Sequence, residues 1–374
     1  MALTDLSGAL AGRADARLSE IVDSLEGRLA ADPDLSFQIA AHVGGDLVLD
    51  AWGGPHLGAE SLIVPYSVSK NTIGFSVALL VQQGRLDLDA PVADYWPEFG
   101  GQGKAGVTVR QLLSHQAGLP EATPKLTWAE LLDHHAGAAR LAASWPLWRP
   151  GSGFGYHAIT IGNLADELVF RVTGSTLHDW YEAELRAPNE LEFYLGLPEG
   201  LETRRVDVLP IVPPPGVERP EPQPMLGYVM GPRPGPEVDL ANGEESWRYG
   251  HAAGSATASA RGIAGLFAAA VTGRDGAPPL LTADTVFAVG QQQVRGTDEV
   301  LGLPDRAHGV VFQKASQALA WGGPRSFGHD GAAGAVGCVD PDTGVAFGYT
   351  IARGPWPGGA DPAALAVARA LGRL

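Results

Sequence analysis

Cysteine is nearly absent: Cys338 is the only one in 374 residues. An intramolecular disulfide is therefore impossible, and so is a zinc site made of thiolates. Cys338 stands in the alternating stretch GAVGCVD and reads as a small core residue rather than a nucleophile. Long apolar runs are missing too. None approaches the roughly 18 residues that a bilayer crossing needs, so no membrane span is expected. The opening stretch MALTDLSGALAGRADARLSEIV has neither a basic start nor an unbroken apolar block, because Asp5, Arg13, Asp15 and Arg17 interrupt it. It does not read as a secretory signal, and the expected location is the cytoplasm. Positive charge is scarce: 26 Lys and Arg stand against 42 Asp and Glu, a formal net charge of -16. That excess repels nucleic acid and anionic lipid, so neither is an expected partner.

What is present is an ordinary folded composition. Hydrophobic residues make up 45% and charged residues 18%, which excludes a disordered chain. Residues 15–31 carry Leu18, Ile21, Val22, Leu25 and Leu29 at helical spacing. SFQIAAHV and DLVLDAWGG flank Gly44-Gly45 and predict a β-hairpin. Residues 67–83 predict a helix that is apolar on several faces and hence surrounded by protein. From Asp87 to about 250, helical stretches alternate with loops: TVRQLLSH, TWAELLDHHAGAARLAAS, TIGNLADELVFRVTG and TLHDWYEAEL. Residues 209–237 are proline-rich, predict no regular structure, and read as a lid or pocket wall. The helix TASARGIAGLFAAAVTG follows, then strand-like RAHGVVFQ, AVGCVDP and GVAFGYTIAR. A last helix opens on Asp361 as cap and Pro362 at its first position. Strands at both ends and helices between them give an α+β class. The expected organisation is one α/β domain from residues 1–88 and 250–374, and a helical domain from residues 89–249.

Two patterns are set aside. Gly101-Gln102-Gly103-Lys104-Ala105-Gly106 matches G-x-G-x-x-G but follows the loop-like YWPEFG rather than a strand, so nucleotide binding is not expected. His134-His135 are neighbours on an expected helix, cannot meet one metal from the same face, and read as an exposed pair.

The chemistry concentrates at Ser67-Val68-Ser69-Lys70. Positions three apart lie on one helix face, so Ser67 and Lys70 can touch, whereas Ser69 faces elsewhere. A serine hydroxyl needs a base, and an ordinary lysine is protonated at neutral pH. Burial in an apolar helix disfavours the ammonium and makes the amine available. The helix N-terminus adds N–H groups suited to an oxyanion. Alone, this short pattern reads first as a capping serine and a snorkelling lysine, and only its context favours catalysis. Two more stretches support the catalytic reading. PGSGFGYHA delivers Tyr156 to a helix start, where its phenol or phenolate can handle protons. FGHDGAAG brings His329 toward the same opening, with Gly331 permitting close backbone approach.

In this order the motifs resemble the serine β-lactamase and penicillin-binding-protein superfamily, whose pattern is S-x-x-K, then Y-x-N or Y-x-S, then K-T-G or H-x-G. Class C β-lactamases and family VIII carboxylesterases are the branch most alike. VTVRQLLSHQAGLP and residues 148–174 add to the resemblance, which runs from about residue 15 to the end. It implies a β-lactamase-like antiparallel sheet flanked by terminal helices, with a mostly helical second domain. It implies Ser67 as nucleophile and Lys70 with Tyr156 as the proton-handling pair. The backbone N–H groups of Ser67 and Ala332 would form the oxyanion hole, with His157, His329, Asp330 and Gly331 meeting the substrate. No cofactor and no metal is implied. Two departures stand out: Ala158 replaces the polar third residue of the tyrosine motif, and His329 replaces lysine. A neutral imidazole anchors a β-lactam carboxylate less well than an ammonium does. The expected function is therefore hydrolysis of small carboxylic esters through an acyl-enzyme, with weak β-lactam turnover. An acyltransferase or an amide hydrolase such as a D-aminopeptidase is the alternative. An α/β-hydrolase esterase is excluded by the absence of G-x-S-x-G. A retired ligand-binding relative would have lost Ser67, Lys70 or Tyr156, and all three are present.

Overall fold

The computed structural model describes residues 3–218 and 221–374. Its main sheet is antiparallel throughout and is sewn from both ends of the chain. Across it run Leu3–Ser7, Leu10–Asp15, Asp46–Gly53, Phe37–Val43, Val345–Ile351, Val336–Asp340, Phe327–Asp330, Gln313–Lys314, Arg306–His308 and Val294–Gly296. The seam lies at the centre, where Phe37 pairs with Ile351 and Val43 with Val345. The turn joining Phe37–Val43 to Asp46–Gly53 needs positive φ twice, and Gly44 and Gly45 supply it at 60° and 90°.

The period of two sorts the central strands between two helical layers. Phe37, Ile39, Phe347, Tyr349 and Ile351 pack with Leu25, Leu29, Val367 and Leu371 of the two terminal helices, Ser19–Ala31 and Pro362–Leu371. On the other face Ala40 meets Ala260 and Ala264 of the Ala260–Phe267 helix. Asp361 does more than the expected capping. One carboxylate oxygen accepts from the Ala363 N–H, and the other accepts from Tyr349 Oη at 2.8 Å and Arg28 at 2.9 Å. It thereby ties the last helix to the first helix and to the sheet.

Three expectations change. Residues 3–15 form an edge hairpin that the sequence reading left out; their Gly, Ala and Ser residues carry little β-propensity. RAHGVVFQ is two short strands rather than one, because Val311 takes φ 68° and the chain reverses between them. TWAELLDHHAGAARLAAS breaks into Trp128–Leu131 and Ala136–Ala143, so His134 and His135 sit in the interruption.

The proline-rich segment also departs from expectation. Residues 219 and 220 lie outside the described residues, but Pro224–Met230 is a helix that starts on proline. The segment is anchored by Arg233, whose guanidinium donates to Glu121 at 2.7 Å with both side chains buried. Arg233 also donates to the Leu126 and Val229 carbonyls. Removing one partner strands a buried charge, so Arg233→Met is expected to cost about 3–5 kcal/mol of stability, read by urea denaturation. Loss of less than about 1 kcal/mol would mean the pair is not dry. Upstream, Leu209 and Ile211 pack in the cluster that holds Tyr66 and Ala333.

Candidate active site

The segment that carries Ser67 begins with strain. Tyr66 takes φ 49°, a left-handed value that a non-glycine residue adopts at a cost. Tyr66–Ser69 is one 3-10 turn, and Lys70–Gln82 continues it as an α-helix. The sequence KNTIGFSVALL has no polar face, and every residue from Lys70 to Leu80 is buried. Ser67 is half-buried at the mouth of this helix, while Lys70 is wholly inside. Ser69 turns away as expected: its hydroxyl donates to the Tyr66 carbonyl and accepts from the Ala256 N–H.

Lys70 Nζ has three neighbours: the Ala158 carbonyl at 2.7 Å, the Ala253 carbonyl at 2.7 Å and Ser67 Oγ at 3.2 Å. Burial holds its pKa well below the ordinary 10.5, and the Asp330 carboxylate offsets this only in part. A neutral amine has two N–H bonds and one lone pair. The two carbonyls take the N–H bonds, so the lone pair is left for the Ser67 O–H. The same carbonyl oxygens can accept from an ammonium, while burial in an apolar helix favours the neutral amine.

Tyr156 Oη stands 2.9 Å from Ser67 Oγ and 3.4 Å from His329 Nε2. Burial raises the phenol's pKa far above 10, so it is a proton donor and not a tyrosinate. His329 Nδ1 donates to the Asp330 carbonyl at 2.8 Å, which leaves Nε2 as the acceptor facing Tyr156. Burial disfavours the imidazolium and pushes the His329 pKa well below 6.5. Tyr156 is held from behind. Its own N–H donates to Asp298 at 3.0 Å, and the rings of His115 and His308 lie against it.

The turn after the Phe327–Asp330 strand approaches the Ser67 segment through Gly331. A Cβ there would sit 2.3 Å from the Pro65 carbonyl oxygen, so only glycine allows the approach. The Ala332 carbonyl accepts from Gly359 N–H, while the Ala332 N–H donates to no backbone carbonyl among the described residues.

Two expected substrate contacts are not brought into the site. His157 is fully buried and spends both nitrogens on the backbone: Nε2 accepts from Leu119 N–H at 2.8 Å and Nδ1 donates to the Gly155 carbonyl at 2.7 Å. It shapes the loop that carries Tyr156. Asp330 alternates to the other side of its strand from His329, where it accepts from the Ala360 N–H. Sequence reasoning missed the Ala158 and Ala253 carbonyls, because any residue type supplies a carbonyl. It also missed His115, His308 and Asp298, which carry no local pattern.

A serine, a buried amine and a phenol meet at the start of the Lys70–Gln82 helix, beside an antiparallel sheet covered by the two terminal helices, and this architecture is the β-lactamase fold. The chain belongs to the β-lactamase family, whose model matches residues 26–372. It is similar to the esterase/β-lactamase LipL of Mycobacterium tuberculosis, with 29% identity over 352 residues, covering 83% of this chain and 75% of LipL. Among solved structures it resembles EstA from Arthrobacter nitroguajacolicus, with TM-score 0.90, 39% identity, and 100% and 98% of the two chains covered. A family VIII carboxylesterase matches with TM-score 0.87 and 26% identity over 97% of this chain and 99% of its own. The protein is thus a β-lactamase-fold hydrolase whose esterase relatives support esterase-like activity.

Proposed function

We propose that the protein is a serine carboxylesterase that works through an acyl-enzyme on small neutral esters. The observation that carries this reading is the convergence of Lys70 Nζ and Tyr156 Oη on Ser67 Oγ, at 3.2 and 2.9 Å. Ser67 Oγ attacks the ester carbonyl carbon while its proton passes to Lys70. The oxyanion is received by the N–H groups of Ser67 and Ala332. Collapse breaks the carbonyl C–O bond, and the alcohol leaves with a proton handed on through Lys70 and Tyr156. Water then attacks the acyl-enzyme, releases the acid and restores Ser67.

Neutral His329 supports esters over β-lactams, since it offers no positive charge to a substrate carboxylate. The segment around Leu209 and Ile211 is the wall we expect to select the acyl or alcohol group. A cytoplasmic setting and a division into residues 1–88 with 250–374, and 89–249, go with this reading.

The test is a panel of p-nitrophenyl esters, amides and a chromogenic cephalosporin, followed by intact-mass detection of the acyl adduct. Ester turnover at least about 10²-fold above cephalosporin turnover is expected, the scale set by loss of a charged anchor. Equal rates on both would overturn the ester assignment. Gly331→Ala is expected to lower kcat/KM by at least about 10²-fold, as loss of one oxyanion donor does, because the Cβ pushes Ala332 off its line. An unchanged value would remove Ala332 from the reaction.

A further inference from the structure

Three side chains outside the Ser67 site converge on one point. His134 Nδ1, His178 Nδ1 and an Asp166 carboxylate oxygen, or their ring equivalents, lie within 4.8 Å of one another. They come from three segments: the break before Ala136–Ala143, the Thr160–Thr173 helix and the Leu177–Tyr181 helix. We propose that they form a binding site for one divalent transition-metal ion, with zinc the ion best suited to two imidazole nitrogens and a carboxylate.

The spacing fits. Four-coordinate zinc, with bonds of roughly 2.0–2.2 Å, sets its ligand atoms about 3.3 Å apart. Asp166 Oδ2 lies 2.6 Å from His134 Nδ1 and 4.0 Å from His178 Nδ1, on either side of that value. Small rotations of two rings would even them out.

A second observation is independent of spacing. His178 Nδ1 is buried and makes no hydrogen bond. Its Nε2 lies 3.0 Å from the Gly250 carbonyl, which can only accept, so Nε2 carries the proton and Nδ1 presents a bare lone pair. That lone pair faces Asp166 Oδ2, another acceptor. A metal-ligating histidine is held in this way, its far nitrogen tied to a carbonyl and its near nitrogen free. Asp166 is fixed likewise, its Oδ1 accepting from the Leu177 N–H at 2.7 Å while Oδ2 faces the histidines. Tyr249 Oη, 3.5 Å from His134 Nδ1, offers a fourth ligand atom. His134, at 31% exposed, leaves a path in from solvent.

The ion shares no ligand with the Ser67 site and fastens three segments of the helical region. The carbonyl that orients His178 begins the stretch Gly250–Ala253, which ends on the carbonyl that holds Lys70.

The test uses the full chain without a histidine tag, stripped with a chelator and titrated with Co²⁺ as a spectroscopic stand-in for zinc. One equivalent is expected to bind, to give a visible d–d band, and to be displaced by one equivalent of Zn²⁺. His134→Ala and His178→Ala are each expected to weaken Co²⁺ binding by at least about 100-fold, the upper end of what even an outer-shell partner costs. Should His178→Ala fold poorly, His178→Phe keeps the ring volume and removes the ligand. His134 lies near the surface, so His134→Ala should retain the native circular dichroism spectrum. No stoichiometric binding by the stripped wild type, or equal binding by wild type and His134→Ala, overturns the proposal.

Discussion

Ser67→Ala is expected to release no burst of p-nitrophenol from p-nitrophenyl butyrate, with a steady rate lower by on the order of 10⁴- to 10⁶-fold. The substitution removes one oxygen from a half-buried position. It takes away only the hydrogen bonds to Lys70 and Tyr156, so the fold should survive and circular dichroism should be unchanged. Ser69 cannot stand in, because its hydroxyl is committed to the Tyr66 carbonyl and the Ala256 N–H. Intact mass after brief exposure to substrate should show an acyl adduct on wild type and none on the variant. Turnover retained within about tenfold would remove Ser67 as nucleophile and, with it, the acyl-enzyme mechanism.

How far the sequence foretold this site depends on what kind of atom does the work. Ser67, Lys70 and Tyr156 meet through their side chains, and each stands in a short pattern with a fixed spacing, so their convergence was legible. The two carbonyls that hold Lys70 were not. Ala158 and Ala253 contribute main-chain oxygens, and nothing in the letter A marks them. Gly331 was legible because only glycine tolerates a backbone oxygen where a Cβ would be. His157 misled for the opposite reason. It sits beside Tyr156 in sequence, but its ring points away to the Leu119 N–H and the Gly155 carbonyl. The same logic explains the fold. Alternating and helical periods revealed the central strands and both terminal helices. The edge hairpin at residues 3–15 is rich in Gly, Ala, Ser and Asp, which carry little β-propensity, and its pairing comes from tertiary context. His134 read as a surface residue because its partners, Asp166 and His178, are more than thirty positions away.

Lys70→Met is the sharper test of mechanism, because it separates the base from the packing. Methionine fills most of the same volume without an amine, so the rate is expected to fall by about 10³-fold or more, within or beyond the usual range for losing a general base. The carbonyls of Ala158 and Ala253 lose their donor, at a cost of about 1–3 kcal/mol each, so stability should drop as well. Lys70→Arg distinguishes the two effects: a guanidinium can still donate to carbonyls but cannot give up its proton, and activity should stay lost. The wild-type pH profile carries the sign. Lys70 must be neutral to accept the Ser67 proton, so kcat/KM is lost as pH falls through its depressed pKa and is full above it. The midpoint of that limb should lie well below 10.5. No descending limb should follow from Tyr156, whose burial keeps the phenol protonated throughout the accessible range. His329, His115 and His308 also face this cluster, but burial holds all three neutral until pH falls well below 6.5, so they add nothing to a limb above that value. A rate that climbs with pH toward an ordinary lysine midpoint, or an acid limb that persists unaltered in Lys70→Met, would take the base role away from Lys70.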